Sequence, residues 1–477
     1  MSSVKRSYLS SRACREIQRK RNFLTIMKTI LTTLNAKNVH KALAPWLLKS
    51  YADERGIFDI TIIEANINEQ MGDIVHRIYS QNPSIIGFGI YIWNTHQTAQ
   101  LAKLLKKLLP NLYIIVGGPE VQSHTLDNFD YADHKIIGAG EAPFYEKLTV
   151  ILSEFEGSPA SKKPNTENHL TPEYFNSFKT DQIPQIQNRL IYYESARGCP
   201  YSCAYCMSAK DKELTFKPLQ KVFEELTLLV VNGAKIIKFV DRTFNADKKR
   251  TEQIFEFLST LDTDATFHFE LVAEHLTERA FKLISALPKN RVQFEVGVQS
   301  LHAPTLKAIN RTQNNDKLLA NIKRLASLGN CHVHVDLIAM LPHETLATFA
   351  TGFNQLFATR PHHIQLGFLK LLPSTPLEKS ALTYGIIADT APPYEVYQTN
   401  TMSFEDKKTL KNIEGAVKKF YNSGKFHNEI MPLIEKTSQS PFDFFKTLAN
   451  LCIAKGYPTF NISPKNAITL LSEFDSK

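Results

Sequence analysis

Several features are scarce in this 477-residue chain, and each scarcity excludes a class of protein. Six cysteines are far too few for a disulfide scaffold, which favours a reducing, cytoplasmic location. No run of 18 uncharged apolar residues occurs, and no signal-length apolar stretch precedes the first charges, so neither a transmembrane helix nor a secretory signal is expected. With 43% hydrophobic residues, a chain of this length predicts two or three domains.

A basic domain face is also lacking. The formal net charge is +9, but residues 1–28 alone carry +7, which leaves +2 for the rest. A nearly neutral body argues against a nucleic-acid partner. The basic stretch could be a transit peptide, a disordered arm, or a segment preceding a true start at Met27. We favour the last two readings, because a strand-like run follows Met27 directly, and we predict that residues 1–26 form a disordered extension.

Between residues 27 and 152, apolar strand-like runs alternate with helical patterns. Near-continuous apolar runs, rather than runs that alternate with polar residues, indicate a parallel sheet buried on both faces. The segment therefore predicts a doubly wound, Rossmann-like (flavodoxin-like) α/β domain. The predicted strands are residues 29–34, 60–64, 85–91, 113–116 and 135–137.

Residues 153–188 are polar and rich in proline, as linkers are. From 189 to 380 six strand-like runs again alternate with amphipathic segments, which predicts a (β/α)6 partial TIM barrel with its chemistry at the carboxyl ends of the strands. Residues 381–477 are dominated by helical patterns, and we predict a small helical domain there. The predicted barrel strands are 190–195, 236–240, 266–272, 292–298, 333–339 and 364–369.

Three of the six cysteines, Cys199, Cys203 and Cys206, follow the first predicted barrel strand. Thiolates at this short spacing can hold three corners of an iron–sulfur cubane and leave one iron without a protein ligand. A zinc loop is the alternative, but C-x3-C-x2-C is not a usual zinc spacing and no fourth ligand is near in sequence. Cys14, Cys331 and Cys452 are isolated, and we interpret them as tail or core residues.

The cysteine spacing, with Tyr205 just before the last thiol, resembles the signature of the radical SAM superfamily. This resemblance implies a 4Fe-4S cluster whose free iron binds S-adenosylmethionine (SAM) and whose electron cleaves it to a 5′-deoxyadenosyl radical. The stretch 295–300 also looks like the family's ribose and methionine pocket. Polar groups at the ends of apolar strands are costly unless they are partnered, so we predict that Asp241, Glu270, Glu295 and Gln299 contact SAM; a salt bridge or helix cap is the alternative for each.

Polar and glycine residues follow the predicted strands of the first domain, where open parallel sheets bind ligands. Ahead of a radical SAM barrel, this pattern resembles the cobalamin-binding domain of one radical SAM subgroup, which implies a cobalamin site. The motif D-x-H-x-x-G is missing after the first strand, and His40 is not at its histidine, so we predict cobalamin without a histidine ligand. A domain that has lost its cofactor is the alternative. The predicted cobalamin contacts are Asn35, Tyr91, Trp93, Asn94, Gly117, Gly118, Glu120, Gly138, Gly140 and Glu141.

The resemblance extends to the C-terminal region, which looks like a domain of unknown function attached to some members. It implies a cobalamin-dependent radical SAM enzyme, in which one SAM methylates cobalt and a second supplies the radical that opens an unactivated carbon to methylation. The alternatives are a tRNA methylthiotransferase, a radical SAM cyclase or rearrangement enzyme, and a cofactor sensor. The expected partners are a small-molecule or peptide substrate and an electron donor such as flavodoxin or ferredoxin, with no membrane and no nucleic acid.

Overall fold

The computed structural model describes residues 27–57, 59–122, 125–155, 186 and 189–475. The chain divides into two compact units, Met1–Tyr192 with Glu224–Lys235 and Tyr193–Phe223 with Ile236–Lys477. The predicted extension, Cys14 and nearly all of the predicted linker lie outside the described residues. No helix in the described part of the chain combines the length and apolar character needed to cross a membrane.

The first unit contains a five-stranded parallel sheet with helices on both faces. The inner strand TILTTLN is buried throughout, which explains its nearly unbroken apolar and threonine character. Its strands are β1 (Thr29–Asn35), β3 (Ile60–Asn66), β4 (Ile85–Gly89), β5 (Tyr113–Gly117) and β6 (His134–Ile136), while β2 (His40–Lys41) lies outside this sheet. Its helices are α1 (Ala44–Asp53), α2 (Met71–Tyr79), α3 (Thr95–Leu108) and α4 (Glu141–Phe155), with a 3-10 turn at Leu126–Phe129.

The strand order is β3-β1-β4-β5-β6, and every pairing between neighbours is parallel. This order is that of flavodoxin-like sheets, so the predicted fold class of this unit is confirmed. The order reverses between β1 and β4, and the crevice beyond their carboxyl ends is where such sheets bind ligands. Apolar residues of α2 and α3 cover one face, and those of α1 and α4 cover the other.

The barrel begins at β7 (Leu190–Tyr193), which pairs in parallel with β2 at its start. Five parallel strands follow in the order β14-β13-β12-β11-β10, and the amide of Val240 after β10 donates to the carbonyl of Tyr193 at 2.9 Å. The later strands are β8 (Ala196–Arg197), β9 (Thr215–Phe216), β10 (Ile236–Phe239), β11 (Thr266–Leu271), β12 (Val292–Gln299), β13 (His332–Ala339) and β14 (His363–Phe368). The helices are α5 (Leu219–Val231), α6 (Lys248–Thr260), α7 (Glu278–Ala286), α8 (Ala303–Ala308), α9 (Asn315–Ser327), α10 (Leu346–Phe357) and α11 (Pro376–Lys379), with 3-10 turns at Met207–Lys210, Phe244–Ala246 and Ala273–His275.

Side chains alternate along the barrel strands between an apolar and a polar face. On β11, Phe267 and Phe269 are fully buried, and Phe269 packs against Phe255 of α6 with ring centroids 5.7 Å apart. His268 and Glu270 alternate with these phenylalanines and lie on the opposite, inner face. Burial of each such phenylalanine stabilises the fold by about 2–3 kcal/mol. The apolar layer therefore holds the barrel together and leaves its inner face free to carry charge.

The C-terminal region consists of a short hairpin followed by helices: β15 (Ile387–Ala388), β16 (Val396–Gln398), α12 (Phe404–Ala416), α13 (His427–Lys436), α14 (Pro441–Ala454) and α15 (Pro464–Asp475). Ser403 caps α12 in a capping box with Asp406. After α12 the chain widens into a π-helix at Val417–Asn422. The widened turn is stabilised by Tyr421, which donates to the carbonyl of Pro361, and by Asn422, which bonds to Ile364.

Candidate active site

The three clustered cysteines lie in the loop that follows β7 and β8. Cys199 and Cys203 are buried, Cys206 is half-buried, and all three thiols are free. The loop is fixed by its backbone: the amide of Cys199 donates to the carbonyl of Asp211 at 2.7 Å, and that of Ala204 to the carbonyl of Ile309 at 2.8 Å. The thiols are therefore held in place by contacts that do not involve sulfur.

Gly198 explains why this loop can fold so tightly. Its φ is +95°, and a β-carbon there would lie 2.0 Å from the carbonyl oxygen of Glu213. No other residue tolerates both the conformation and the contact. Any substitution of Gly198 must displace the segment that carries Cys199.

The surroundings of the thiols combine burial with positive charge. The Cys199 sulfur lies 3.7 Å from the Thr243 hydroxyl, and an Arg311 Nη lies 4.0 Å from the Cys203 sulfur. Burial raises the pKa of Cys203, and the Arg311 charge opposes that rise. Burial also raises the pKa of Tyr205, whose side chain bonds to Cys203. The thiol loop thus has one phenol and one guanidinium beside it.

The spacing of the thiols bears on the zinc alternative. A tetrahedral zinc site places its sulfur ligands about 3.8 Å apart, given a Zn–S bond of about 2.3 Å. Within the described residues, no group of three or more Cys, His, Asp or Glu side chains is arranged to hold a single metal ion. A cubane accepts a wider arrangement, because each thiolate binds a different iron. The preference for a cluster over a zinc ion therefore rests on the C-x3-C-x2-C spacing of the sequence and stays a prediction.

Glu270 and Glu295 are brought together on the inner face of the barrel, where they are register neighbours on β11 and β12. Lys238 of β10 lies 2.8 Å from Glu295 and 3.6 Å from Glu270, and His268 Nε2 lies 3.0 Å from Glu295. Burial opposes ionisation of Glu295, but His268 and Lys238 outweigh it and hold its pKa well below the usual range. Burial raises the pKa of Glu270, an effect that Lys238 opposes. Both carboxylates thus have salt-bridge partners, so their role in SAM binding stays a prediction.

Gln299 occupies a different position, at the carboxyl end of β12. The strand register shifts between Gly297 and Gln299, and Gln299 has a positive φ of 65°. Its buried Oε1 has no hydrogen-bond partner among the described residues. Arg311 donates to the carbonyl of Gly297, which links this strand end to the Cys203 thiol. A strained residue with an unpartnered buried acceptor beside the thiol loop is a candidate ligand contact.

A second buried acceptor lies next to Gln299. The Ser300 hydroxyl donates to Glu344 Oε1 at 2.6 Å, while Glu344 Oε2 has no partner within the described part of the chain. Burial raises the pKa of Glu344 to about 8, against the opposing hydrogen bond from Ser300. Glu344 is therefore largely protonated at neutral pH and can donate a hydrogen bond.

Asp241, which follows β10, is hydrogen-bonded to Ser195, four residues before Cys199. Its carboxylate accepts from the Ser195 amide at 2.7 Å and from the Ser195 hydroxyl at 2.5 Å. Burial raises the pKa of Asp241 to about 6 despite these hydrogen bonds. Asp241 therefore positions Ser195, at the start of the segment that leads to the thiol loop. Its predicted contact with SAM stays a prediction.

At the carboxyl edge of the first sheet, Asn94 is fully buried and ties two strand ends together. Its amide donates to the carbonyls of Leu34 and Gly89 at 3.1 and 3.0 Å, and its carbonyl accepts from the Tyr91 amide at 2.8 Å. Trp93 donates to the same Leu34 carbonyl at 3.0 Å and stacks on Tyr91 with ring centroids 4.6 Å apart. Trp93 nevertheless stays 44% exposed. The edge therefore presents an aromatic surface whose position is fixed by hydrogen bonds.

The loop after β1 is organised by a carboxylate that the sequence did not suggest. Glu64 of β3 accepts from the Ala42 amide at 2.8 Å, Asn35 at 2.9 Å and Trp46 at 2.9 Å, and it lies 3.4 Å from Lys41. His40 lies in this loop, with its Nδ1 3.2 Å from the Tyr192 hydroxyl. His40 therefore has a partner within the fold.

The glycine loops at the other strand ends differ in what they contact. A β-carbon on Gly118, whose φ is +113°, would lie 2.6 Å from the Ile90 carbonyl, so this glycine serves backbone packing. Gly138, with φ +81°, has open space around it, and it lies close to Gly140 and Glu141 at the start of α4. Gly117 directly follows the buried part of β5, and Glu120 is buried beyond it. Among these residues, the open surface lies around Gly138.

Three family profiles match successive parts of the chain: the B12 binding domain over residues 30–147, the radical SAM superfamily over 193–354 and a protein family of unknown function, DUF4080, over 382–477. The chain thus carries a radical SAM domain preceded by a B12-binding domain. These matches confirm the resemblance predicted from the sequence, including the C-terminal domain of unknown function.

Among curated proteins, the radical SAM chain is similar to the cobalamin-dependent radical SAM methyltransferase TokK of Streptomyces tokunonensis, with 24% identity over 69% of this chain and 53% of that protein. The chain spans about half the length of the curated relatives it matches. Its fold is similar to that of the radical SAM methyltransferase TsrM from Kitasatospora setae, solved with cobalamin and a [4Fe-4S] cluster (TM-score 0.61, 17% identity, 77% of this chain and 82% of that one). It is also similar to OxsB, solved with aqua-cobalamin (TM-score 0.64, 14% identity, 94% and 75%).

The cofactors of this family can be tested against the residues present. Three buried or half-buried free thiols in one loop fit the thiolate ligands of a cluster. The unpartnered Gln299 oxygen beside Arg311 fits a polar ligand such as SAM. The exposed Trp93 ring on Tyr91 and the open loop at Gly138 fit a large flat cofactor such as cobalamin. All three groups are therefore compatible with side chains of this radical SAM chain.

Sequence reasoning missed Arg311, Lys238, His268 and Glu344 as site residues. Polar residues recur at every second position of β11 to β13, and this pattern could have indicated a polar inner face. Arg311 follows a short helix with no distinctive motif. Only the three-dimensional contact with the Cys203 loop identifies it.

Proposed function

We propose that this chain is a cobalamin-dependent radical SAM methyltransferase that acts on an unactivated carbon. The observation that carries the proposal is the thiol loop: three free cysteines held by backbone bonds, next to Arg311 and the unpartnered Gln299. The B12-binding profile over 30–147 supports cobalamin as the second cofactor. The similarity to curated methyltransferases supports the reaction class.

Each group in the barrel has a task in this proposal. Cys199, Cys203 and Cys206 would hold the cluster, and Gly198 allows the tight turn before them. Arg311 places a permanent positive charge beside the cluster, where the carboxylate of SAM needs a partner. When bound, the cluster supplies the electron that cleaves SAM, and cobalamin supplies the methyl group for transfer.

The rest of the site would orient SAM and shield it from water. Gln299 offers a buried acceptor, and Glu344 in its protonated form offers a donor from the adjacent turn. Glu270 and Glu295, balanced by Lys238, keep the inner face of the barrel polar. In the first domain, Trp93 and Tyr91 would support cobalamin, together with the loops at Asn35, Asn94, Gly117, Glu120, Gly140 and Glu141.

The deciding experiment uses the full chain reconstituted with iron, sulfide and hydroxocobalamin, then incubated with SAM and a low-potential reductant. We expect 5′-deoxyadenosine and S-adenosylhomocysteine to form together. A sensor would release neither product, and a cyclase would release 5′-deoxyadenosine without S-adenosylhomocysteine. The tRNA methylthiotransferase alternative predicts a second cluster, which iron analysis detects as about eight iron atoms per chain instead of about four.

We further propose that cobalamin binds here without histidine ligation. The loop after β1 is held by Glu64, and His40 already has Tyr192 as a partner, so no histidine of this loop is free to reach cobalt. Electron paramagnetic resonance of the reduced cobalt state tests this, because a nitrogen ligand splits its signal. We expect no nitrogen splitting, and its appearance in the parent chain but not in His40→Ala would contradict the proposal.

A further inference from the structure

A cleft of about 480 Å³ lies between the edge strand β14 and the helix formed by α12 and the π-helix. We call it the edge cleft. It belongs entirely to the second unit, and none of the predicted cofactor contacts lines it. Its walls are the backbone of β14, Lys370, Glu395 and the helical side chains of Lys411, Glu414, Lys418 and Asn422.

The backbone of β14 is open toward this cleft. Asn422 occupies one outward position, because its side chain accepts from the Ile364 amide at 2.9 Å and donates to the Ile364 carbonyl at 2.8 Å. The backbone N–H and C=O groups of alternate residues point to the same side of a strand, so those of Leu366 and Phe368 also face away from β13. Neither residue has a backbone partner on that side among the described residues. Beyond Phe368 the edge pairs with the segment around Glu395, because the Val396 amide donates to the Leu369 carbonyl at 3.2 Å and the Leu371 amide donates to the Tyr394 carbonyl at 2.9 Å.

The open stretch therefore has a defined length and two defined ends. Leu366 and Phe368 are about 7 Å apart along the strand. At one end of this stretch the side-chain amide of Asn422 takes the place of a neighbouring strand, and at the other end residues 394–396 pair with residues 369–371. An extended backbone placed between them would complete the row of hydrogen bonds.

The charges around the cleft favour an acidic occupant. Lys411 is paired with Glu414 at 3.2 Å, and Glu395 is paired with Lys407 at 2.9 Å. Lys370 and Lys418 have no carboxylate within ion-pair distance in the described structure, and both are exposed. The lining thus has two positive charges without a counter-ion.

The π-helix is an independent sign of function at this place. Such widened turns are rare, and they occur frequently at functional sites. Here the widened turn carries Lys418 and Asn422, the two residues that give the cleft its charge and its strand-like amide. We propose that the edge cleft binds an acidic peptide segment as an added strand beside β14. This inference does not depend on the proposed methyl transfer.

Lysines beside an open strand edge have a second explanation, since charged side chains also protect edges from unwanted pairing. The two explanations predict opposite results when the charges are removed. If the lysines recruit an acidic peptide, their loss weakens binding. If they only protect the edge, their loss strengthens the binding of any extended peptide or causes self-association.

The first experiment is isothermal calorimetry on the full chain as purified, without SAM or reductant. The probes are acetyl-Val-Asp-Val-Glu-Val-amide and its uncharged twin, acetyl-Val-Asn-Val-Gln-Val-amide. We expect the acidic probe to bind about tenfold more tightly at low salt, and the double substitution Lys370→Gln with Lys418→Gln to remove that advantage. The matched control, Lys425→Gln with Lys465→Gln, removes two exposed lysines of the same region and should change nothing. Absence of binding, or tighter binding after removal of Lys370 and Lys418, overturns the proposal.

The second experiment tests the added strand and leaves the protein intact. Two versions of the acidic probe carry N-methyl groups on alternate amides, so that each blocks one edge of the peptide. An added strand uses one edge, so we expect one version to lose about tenfold or more in affinity and the other to keep it. Equal affinities for both versions would show a purely electrostatic contact and overturn the strand geometry.

Discussion

The carboxyl edges of the two parallel sheets hold buried polar side chains in opposite states. At the edge of the first sheet, Asn94 bonds three backbone groups and Glu64 accepts from three donors and pairs with Lys41. At the barrel edge, Gln299 Oε1 and Glu344 Oε2 have no partner within the described residues. Unpartnered buried acceptors are costly, so such groups persist where a ligand or a mobile proton completes them.

The two sheet edges are built in different ways. In the first sheet, polar residues shape the loops and leave aromatic and glycine surface for a cofactor. In the barrel, polar residues themselves point toward a ligand position. Substitutions at the first edge should therefore act mainly through folding, whereas those at the barrel edge should act mainly through binding.

The largest effect is expected at the thiol loop. Cys203→Ala removes one of three cluster ligands, so iron content should fall from about four atoms per chain to nearly none, and 5′-deoxyadenosine formation should disappear. Cys331→Ala is the matched control, because Cys331 is equally buried but isolated. Iron analysis and the visible absorbance of the reconstituted proteins measure both. A Cys203→Ala protein that kept full iron would refute the assigned ligand set.

The next largest effect concerns Glu64 in the first domain. Glu64→Ala leaves the Ala42 amide, the Asn35 amide and the Trp46 indole without their acceptor and removes a partner of buried Lys41. We expect the free energy of unfolding of this domain to fall by about 3 kcal/mol, with weaker cobalamin retention as a consequence. Denaturant titration measures the first quantity. The exposed Asp73→Asn serves as control, and equal stability of the two variants would mean that Glu64 does not organise this loop.

The sequence could predict the positions of the strands because the apolar runs that specify them are local. The observed strands begin and end within about two residues of the predicted ones. Cys331 and Cys452 are core residues, as predicted. The solved structures confirm the predicted fold class, and the family profiles confirm the predicted resemblance to radical SAM proteins.

Contacts between residues distant in sequence could not be predicted. The pairing of Arg311 with the Cys203 loop spans 108 positions, and the bond between Ser300 and Glu344 spans 44. The π-helix was missed because a contact that stabilises it is distant in sequence: Asn422 bonds to Ile364, 58 residues away. Helix α4 also extends to Phe155, into the predicted linker. The assignments of individual SAM and cobalamin contacts stay predictions.

The contribution of Glu344 at the barrel edge to stability should depend on pH. Burial raises the pKa of Glu344 to about 8 in the folded protein, while the unfolded chain has an ordinary value near 4.5. Between these two pH values the folded state holds a proton that the unfolded state has lost, so the stability from this group falls as pH rises. Glu344→Gln keeps the neutral form at every pH. We expect the parent chain to lose about 2 kcal/mol relative to Glu344→Gln between pH 5.5 and 7.5, measured by denaturant titration. Parallel curves for the two proteins would show that Glu344 is ionised in the folded state.

The smallest effect is expected for Gln299→Ala. This substitution distinguishes the two edges, because stability and SAM binding should change in opposite directions. Gln299→Ala removes a buried acceptor that has no partner, so the ligand-free protein should gain about 1 kcal/mol or less in stability. The same change removes a contact available to SAM, so the Kd for SAM should rise about tenfold. Gln293→Ala, on the same face of β12 but six residues nearer its start, is the matched control for both measurements. If Gln299→Ala lowered stability and left SAM binding intact, Gln299 would belong with Asn94 as a residue that shapes its loop, and the distinction between the two edges would not hold.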